Sequence, residues 1–222
     1  MARKPTLAWC SPNYGTIDTQ VYKSHLAAIA NASRTFDIKF VGISDKMYLH
    51  TASNELVRGA LMEGVDYVFW TEQDMLLPFD AVTRLFHHDK DICSGVYFLR
   101  GASYMPCLWM FIDNPQNNPY VITPVCMFTE NHVMKIDVCG FGCVLIKTDV
   151  FREISEPWFD MKEGYGQDVY FYRKMKDAGK EVWCDTGVQC GQQSDKIVTS
   201  IDDYRKHIAD INTEFKGFVL AK

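Results

Sequence analysis

The sequence predicts an α/β fold built on a mostly parallel sheet, and three observations predict it. Strand-like apolar runs alternate with helical periods through the first half, which implies right-handed βαβ units. Polar stretches fall at the ends of the strand-like runs, where ligands of such sheets bind. With 222 residues, 47% hydrophobic and 14% aromatic, the chain can bury the core of one large domain.

Residues 6 to 10 (TLAWC) read as a first buried strand, followed by the turn residues SPNYGT. From Thr16 to Arg34 the period is helical, with Val21, His25, Ala28 and Ile29 on one face, and His25 on that stripe reads as a core histidine. FDIKFVGI is a second strand ending near Ser44 and Asp45. ASNELVRGALMEG is a second helix, with Leu56, Val57, Ala60 and Leu61 inward and Gly64 just past its end. VDYVFW is a third strand. Pro78 then opens a helix through His88, and His87 and His88 read as a surface pair at its C-terminal end. DICSGVYF is a fourth strand. Residues 100 to 132, with four prolines, predict an irregular antiparallel excursion whose aromatic part, Tyr104 to Phe111, reads as core. KIDVCGFGCVLIK is a strand kinked at Gly-x-Gly, TDVFREI a short helix, YGQDVYFYRKMKDAG a helix stopping at Gly179, and EVWCD a last strand. Thr199 to Phe218 has the period of an amphipathic helix. One domain over residues 1–194 and a helical tail over 195–222 follow.

The net charge of −5 carries no basic nucleic-acid footprint. The first residues lack the apolar segment of a signal peptide, and no apolar run reaches the ~18 residues of a membrane span. Most of the eight cysteines lie inside apolar strand-like runs, where Cys acts as a small hydrophobe, so a cytoplasmic chain of reduced thiols is expected. Cys139, Cys143, Cys184 and Cys190 do not have the paired knuckle spacing of a zinc site.

The stretch YVFWTEQDMLLPF, residues 67 to 79, sets Glu72 and Asp74 between two apolar runs. In an extended segment these carboxylates point the same way, and two like charges side by side call for something positive between them. A divalent metal is one answer. SPNYG, Asp45, the TEQD stretch and the later YGQD all fall at element ends.

The ordered segments CSPNYG, SNELVRGALMEGVDYVFWTEQDM, DICSGVYFLRG, DVCGFGCVLIKTDVF, PWFD, YGQDVYFYRKMKDAGKEVWCDT and VQCGQQ resemble the GT-A-type glycosyltransferases, in particular the family-two-like group with its phage and bacterial members. The resemblance covers roughly residues 6 to 194. It implies a GT-A-type, Rossmann-like, mostly parallel sheet with helices on both faces and an antiparallel excursion in the second half. It also implies transfer of a sugar from a nucleotide-diphosphate-sugar donor to a hydroxyl, assisted by Mn2+ or Mg2+, with inversion. By resemblance Asp74 binds the metal, Glu72 holds the ribose or a metal-bound water, and Gln192 stands where relatives supply a metal-binding His. Pro12, Tyr14 and Asp45 would flank the nucleobase and ribose, and Asn54 belongs to the same donor cradle. Gly140, Phe141 and Gly142 would let the backbone approach donor sugar or acceptor. Asp168 would be the general base. Acceptors in the group include modified DNA bases, cell-surface polymers and proteins.

The chain departs from the family pattern at four places. Glu72-Gln73-Asp74 has a longer first carboxylate, Gln167 replaces the Glu before Asp168, Gln192 replaces a His, and Ser53 replaces the Arg before Asn54. A sugar-nucleotide pyrophosphorylase would carry a Gly-rich loop and an Arg after the first strand, and SPNYGT has neither. A non-catalytic nucleotide-sugar-binding protein of the same fold is the alternative reading.

Overall fold

The computed structural model describes residues 3–101, 103–112, 118–162, 164–194, 197–215 and 218–220. Its first half alternates as the periodicity predicts: β1 (Thr6–Asn13), α1 (Thr19–Thr35), β2 (Asp37–Asp45), α2 (Leu49–Met62) and β3 (Tyr67–Thr71). A short β4 (Met75–Leu76), α3 (Ala81–His87) and β5 (Ile92–Val96) follow. Then come β6 (Leu108–Phe111), β7 (Ile122–Phe128), β8 (Val133–Ile136), β9 (Val138–Cys139), β10 (Cys143–Lys147) and α4 (Thr148–Glu153). The chain closes with α5 (Gln167–Asp177), β11 (Val182–Gln189), β12 (Gly191–Ser194), β13 (Ile197–Thr199), α6 (Ile201–Phe215) and β14 (Phe218–Leu220).

The main sheet has seven strands in the order β2-β1-β3-β10-β5-β11-β8. β1 is parallel to β2 and β3, and β11 is parallel to β5. β10 lies antiparallel between β3 and β5, and β8 runs antiparallel to β11. Because β10 opposes both neighbours, β3 and β5 point the same way, and five strands share one direction. β6, β7, β9 and β14 form a second sheet, and β4, β12 and β13 a third.

Side chains alternate across each central strand, so the sheet has two apolar faces. Leu7, Trp9, Phe69 and Leu145 pack with Ala28 and Ala32 of α1 and with Val82 and Leu85 of α3. Ala8, Cys10, Val68, Trp70 and Ile146 pack with Val57 of α2, Phe151 of α4 and Phe171 of α5. From the tail, Tyr204 of α6 is buried and stacks on Phe98 and Phe128.

Several elements differ from expectation. β1 continues through Ser11, Pro12 and Asn13 instead of turning, since β2 pairs with it up to Asn13 opposite Asp45. Pairing with β3 stops at Cys10, so Pro12 lies where one edge of β1 is unpaired and a missing N–H is tolerated. Pro78 stands three residues before α3, in a turn closed by Ala81 N–H on its carbonyl. The segment read as one kinked strand divides into β8, β9 and β10, which serve two different sheets. His88 is no free surface group, because its Nε2 lies 2.9 Å from Oδ2 of the buried Asp185. His25 is the core residue expected, with Nε2 2.9 Å from the Met75 carbonyl. The helix expected to Phe218 ends at Phe215, and residues 216 and 217, like Pro115 of the excursion, lie outside the described residues.

The Gly-x-Gly segment is a packing device. A Cβ on Gly140 would fall 1.8 Å from Tyr97 Oη, and one on Gly142 would fall 2.8 Å from Met75 Sδ. Replacing Gly140 with Ala should destabilise the protein by about 1–3 kcal/mol in urea denaturation, as overpacking does. Adding Tyr97→Phe should recover part of that loss. An unchanged midpoint for Gly140→Ala would contradict this close contact.

Candidate functional site

The β1–β2 pair projects beyond the end of β3, leaving a step at the C-terminal edge of the sheet. A cleft of about 360 Å³ occupies this step. Pro12 and Asn13 line it from β1, Tyr14 from just beyond it, Ser44 from β2, Met47 and Tyr48 from the segment before α2, and Leu49 and Ala52 from the first turn of α2. Glu72, Gln73 and Asp74 line it from the segment after β3. The Gln73 side chain clasps the Tyr14 backbone: its Oε1 accepts from the Tyr14 N–H, and its Nε2 lies 3.4 Å from the Tyr14 carbonyl.

The segment after β3 is not extended. Met75 N–H donates to the Glu72 carbonyl at 3.2 Å, closing a turn, so strand alternation does not bring the carboxylates together as expected. The turn itself does. Burial, reinforced by the Asp74 and Asp168 carboxylates, pushes the Glu72 carboxyl up to about 8. Burial also raises Asp74, opposed by the Arg100 guanidinium and the Gln192 amide. The positive group beside Asp74 is Arg100, whose Nη1 lies 3.1 Å from Oδ2. Gln192 Nε2 donates to the same oxygen at 3.3 Å. Asp74 Oδ1 and Ser44 Oγ, both buried, have no hydrogen-bonding partner among the described residues.

The other predicted site residues separate into two groups. Pro12 and Tyr14 line the cleft. Asp45 is exposed at the end of β2, beside Ser44 but outside the lining. Asp168, in the first turn of α5, acts electrostatically on Glu72; burial raises its own carboxyl against the Val169 N–H, which donates to Oδ1 at 2.9 Å. Asn54 is a bolt for the PWFD segment. Its Nδ2 donates to the His50 and Phe159 carbonyls at 2.8 Å, and its Oδ1 accepts from Trp158 and Phe159 N–H. Phe141 is core, in edge contact with Trp70, Phe159 and Phe171, and neither it nor the flanking glycines line the cleft.

Two departures from the family pattern meet. Ser53 Oγ, fully buried on α2, lies 3.0 Å from Oε1 of the buried Gln167 and 2.8 Å from the Leu49 carbonyl. Both partners are acceptors, so the one hydroxyl proton of Ser53 is shared between them. Where the resemblance implies an Arg and a Glu, this chain has a neutral hydrogen-bonded pair. Gln167 is therefore committed to holding α5 against α2.

The sequence reading found Tyr14 but missed the Tyr48 side of the rim and the cation. Tyr14 and Tyr48 are 73% and 83% exposed, with Met47 and Leu49 beside them. A signal for the rim was present: the residue capping α2 is Tyr48, which makes no side-chain cap, so the apolar DKMYLH start lacks the usual reason for its position. Arg100 follows β5 by four residues, and only the tertiary fold brings it to Asp74.

Among the described residues, no three or more His, Cys, Asp or Glu side chains gather in a way that could hold a metal. All eight cysteines are buried, and no disulfide joins them. Asp74 Oδ1 and Glu72 offer oxygens, and the Gln192 amide would add a third once its side chain turned from the Nε2 contact with Asp74. Such a set suits Mg2+ or Mn2+, which take one or two carboxylates and complete their shell with water and substrate phosphates.

No protein-family model matches the sequence, and no curated protein does. Solved structures do match. The A197 protein from STIV superposes with a TM-score of 0.64 at 16% identity, over 90% of this chain and 91% of that one. GalNAc-T7, crystallised with UDP, GalNAc and Mn2+, gives a TM-score of 0.56 at 10% identity, over 84% of this chain. This chain spans 43% of the length of that GalNAc-T7 chain. The likeness shows a GT-A-like fold. No helix among the described residues is long and apolar enough to cross a membrane.

The Glu72 carboxyl, raised from its ordinary 4.5 to about 8, has a defined consequence for stability. A carboxyl raised on folding binds its proton more tightly in the native state, so stability is lost as pH rises from about 4.5 to about 8. In the presence of a chelator, Glu72→Gln should have a higher Tm than the parent at pH 8 to 9. The gap should close toward pH 4. A gap independent of pH would contradict the crowding of these carboxylates.

Proposed function

We propose that this protein is a glycosyltransferase that moves a sugar from a nucleotide-diphosphate-sugar donor to a hydroxyl acceptor. The observation that carries the reading is the pairing of Glu72 and Asp74 in a cleft at the C-terminal edge of a GT-A-like sheet, with one Asp74 oxygen unpartnered. GalNAc-T7, which has this fold, was crystallised with UDP, GalNAc and Mn2+.

In this reading the base and ribose lie along Pro12, Tyr14 and Tyr48, whose exposed rings offer stacking faces. Asp74 and Glu72, with the Gln192 amide oxygen, hold Mn2+ or Mg2+. When bound, the cation neutralises the charge that develops on the departing diphosphate. The acceptor oxygen attacks the anomeric carbon opposite the leaving group. The carbon–oxygen bond to the diphosphate breaks with its electron pair, and the acceptor proton passes to the Asp168 carboxylate. Burial raises Asp168, which makes it a stronger proton acceptor than an exposed aspartate. The attack from the opposite side inverts the anomeric configuration.

Non-catalytic nucleotide-sugar binding is favoured by one observation, the Arg100 ion pair that already neutralises Asp74. Two variants separate the readings. Asp74→Asn should lower sugar transfer or donor hydrolysis at least ~10²-fold with the fold intact, through loss of leaving-group stabilisation. Asp168→Asn should lower kcat by ~10²–10⁴-fold with donor affinity near that of the parent. Measured donor hydrolysis that is equal in the parent and in Asp74→Asn would refute the metal assignment. Donor binding without any turnover in the parent would establish the binding protein. Product anomeric configuration by NMR tests inversion directly, and retention would remove Asp168 as base.

A further inference from the structure

We propose that Arg100 is a movable counter-charge that leaves Asp74 for the diphosphate of the donor as the divalent cation arrives. This rests on the donor-binding reading of the cleft given above. Arg100 Nη1 lies 3.1 Å from Asp74 Oδ2, and its side chain is about half exposed at 49%, while Asp74 is 20% exposed. Among the described residues its other polar contact is a long one, 3.5 Å from Nη1 to the Gln193 carbonyl. The guanidinium is thus held mainly by one carboxylate oxygen, on a residue reaching in from the turn after β5.

A divalent cation and a guanidinium compete for the same carboxylate. A cation on Asp74 repels Arg100, and the nearest incoming anion is the diphosphate that the cation itself ligates. The planar fork of an Arg matches two phosphate oxygens, so the released side chain gains charge-assisted hydrogen bonds there. Arg100 is the cationic side chain in contact with the cleft carboxylates among the described residues. Arg100 therefore acts as a positioning residue with opposite effects on the two ligands: it weakens cation binding and strengthens diphosphate binding.

The experiment measures both ligands separately in the parent, Arg100→Met and Arg100→Lys. Mn2+ binding without nucleotide is read from the free-ion EPR signal, and binding of the Mg2+–pyrophosphate complex, in excess Mg2+, from calorimetry. Arg100→Met should bind Mn2+ about five-fold more tightly, the equivalent of removing one exposed ion-pair competitor. It should bind pyrophosphate at least about ten-fold more weakly, as loss of a charge-assisted contact predicts. Arg100→Lys, which keeps the charge, should fall between Arg100→Met and the parent on both. Equal constants in parent and Arg100→Met overturn the role of Arg100 and leave the donor site standing. A loss of both affinities in Arg100→Met also overturns it, since damage to the fold would move both the same way. A parent that binds neither Mn2+ nor pyrophosphate overturns the donor site and this proposal together.

Discussion

The crowding of carboxylates at the end of β3 is the constraint on which the rest of this site depends. Asp74 and Asp168 both act on the Glu72 carboxyl at a partly buried cleft, and like charges there are unfavourable unless matched. The protein meets this cost in two ways. Glu72 is driven toward its neutral form, and Asp74 is paired with Arg100 and Gln192. A fold that kept only structural ends would have little use for such a grouping, because an apolar turn would be cheaper. Perturbed carboxyls in a cleft mark a functional candidate for that reason.

The surroundings hold this group in place without taking part in the chemistry. Trp70, Phe141, Phe159 and Phe171 form an aromatic block beneath the edge, with ring centroids 5.1–5.6 Å apart for the Phe141 contacts. Asn54 pins residues 158 and 159 to α2, and Ser53 with Gln167 ties α2 to α5, the helix that carries Asp168. The two glycines flanking Phe141 admit Tyr97 and Met75 at distances that no Cβ allows. The departures at Ser53 and Gln167 thus belong to one packing solution and do not count as two separate losses from the site.

Much of the fold was legible in local pattern. The continuous apolar runs Leu7 to Cys10 and Val68 to Trp70, and the helical stripes Val21–His25–Ala28 and Leu56–Val57–Ala60, are short-range signals that burial bears out. What pairs with what was not legible. β10 enters between β3 and β5 across long stretches of chain, and no local period encodes that choice. Gly64 illustrates a legible detail, with φ of +62° just after α2, where a left-handed residue fits. The site shows the same division. Pro12, Tyr14, Glu72 and Asp74 were visible as polar or turn residues at strand ends. Arg100 and the Tyr48 rim were not, because their roles arise only when separate loops meet. Asn54, Gly140, Phe141 and Gly142 carry signals that packing and ligand contact share, and the structure gives them packing partners.

The central claim is that the step beyond β3 holds a divalent cation together with a diphosphate. Paramagnetic broadening of amide resonances by Mn2+, added with a nucleoside diphosphate, tests it most directly. The account predicts that Tyr14, Ser44, Gln73 and Asp74 broaden first. Lys90 and Trp183, at the opposite, N-terminal edge of the sheet, should remain sharp. Broadening centred away from the Glu72–Asp74 turn, or none at saturating nucleotide, would contradict it.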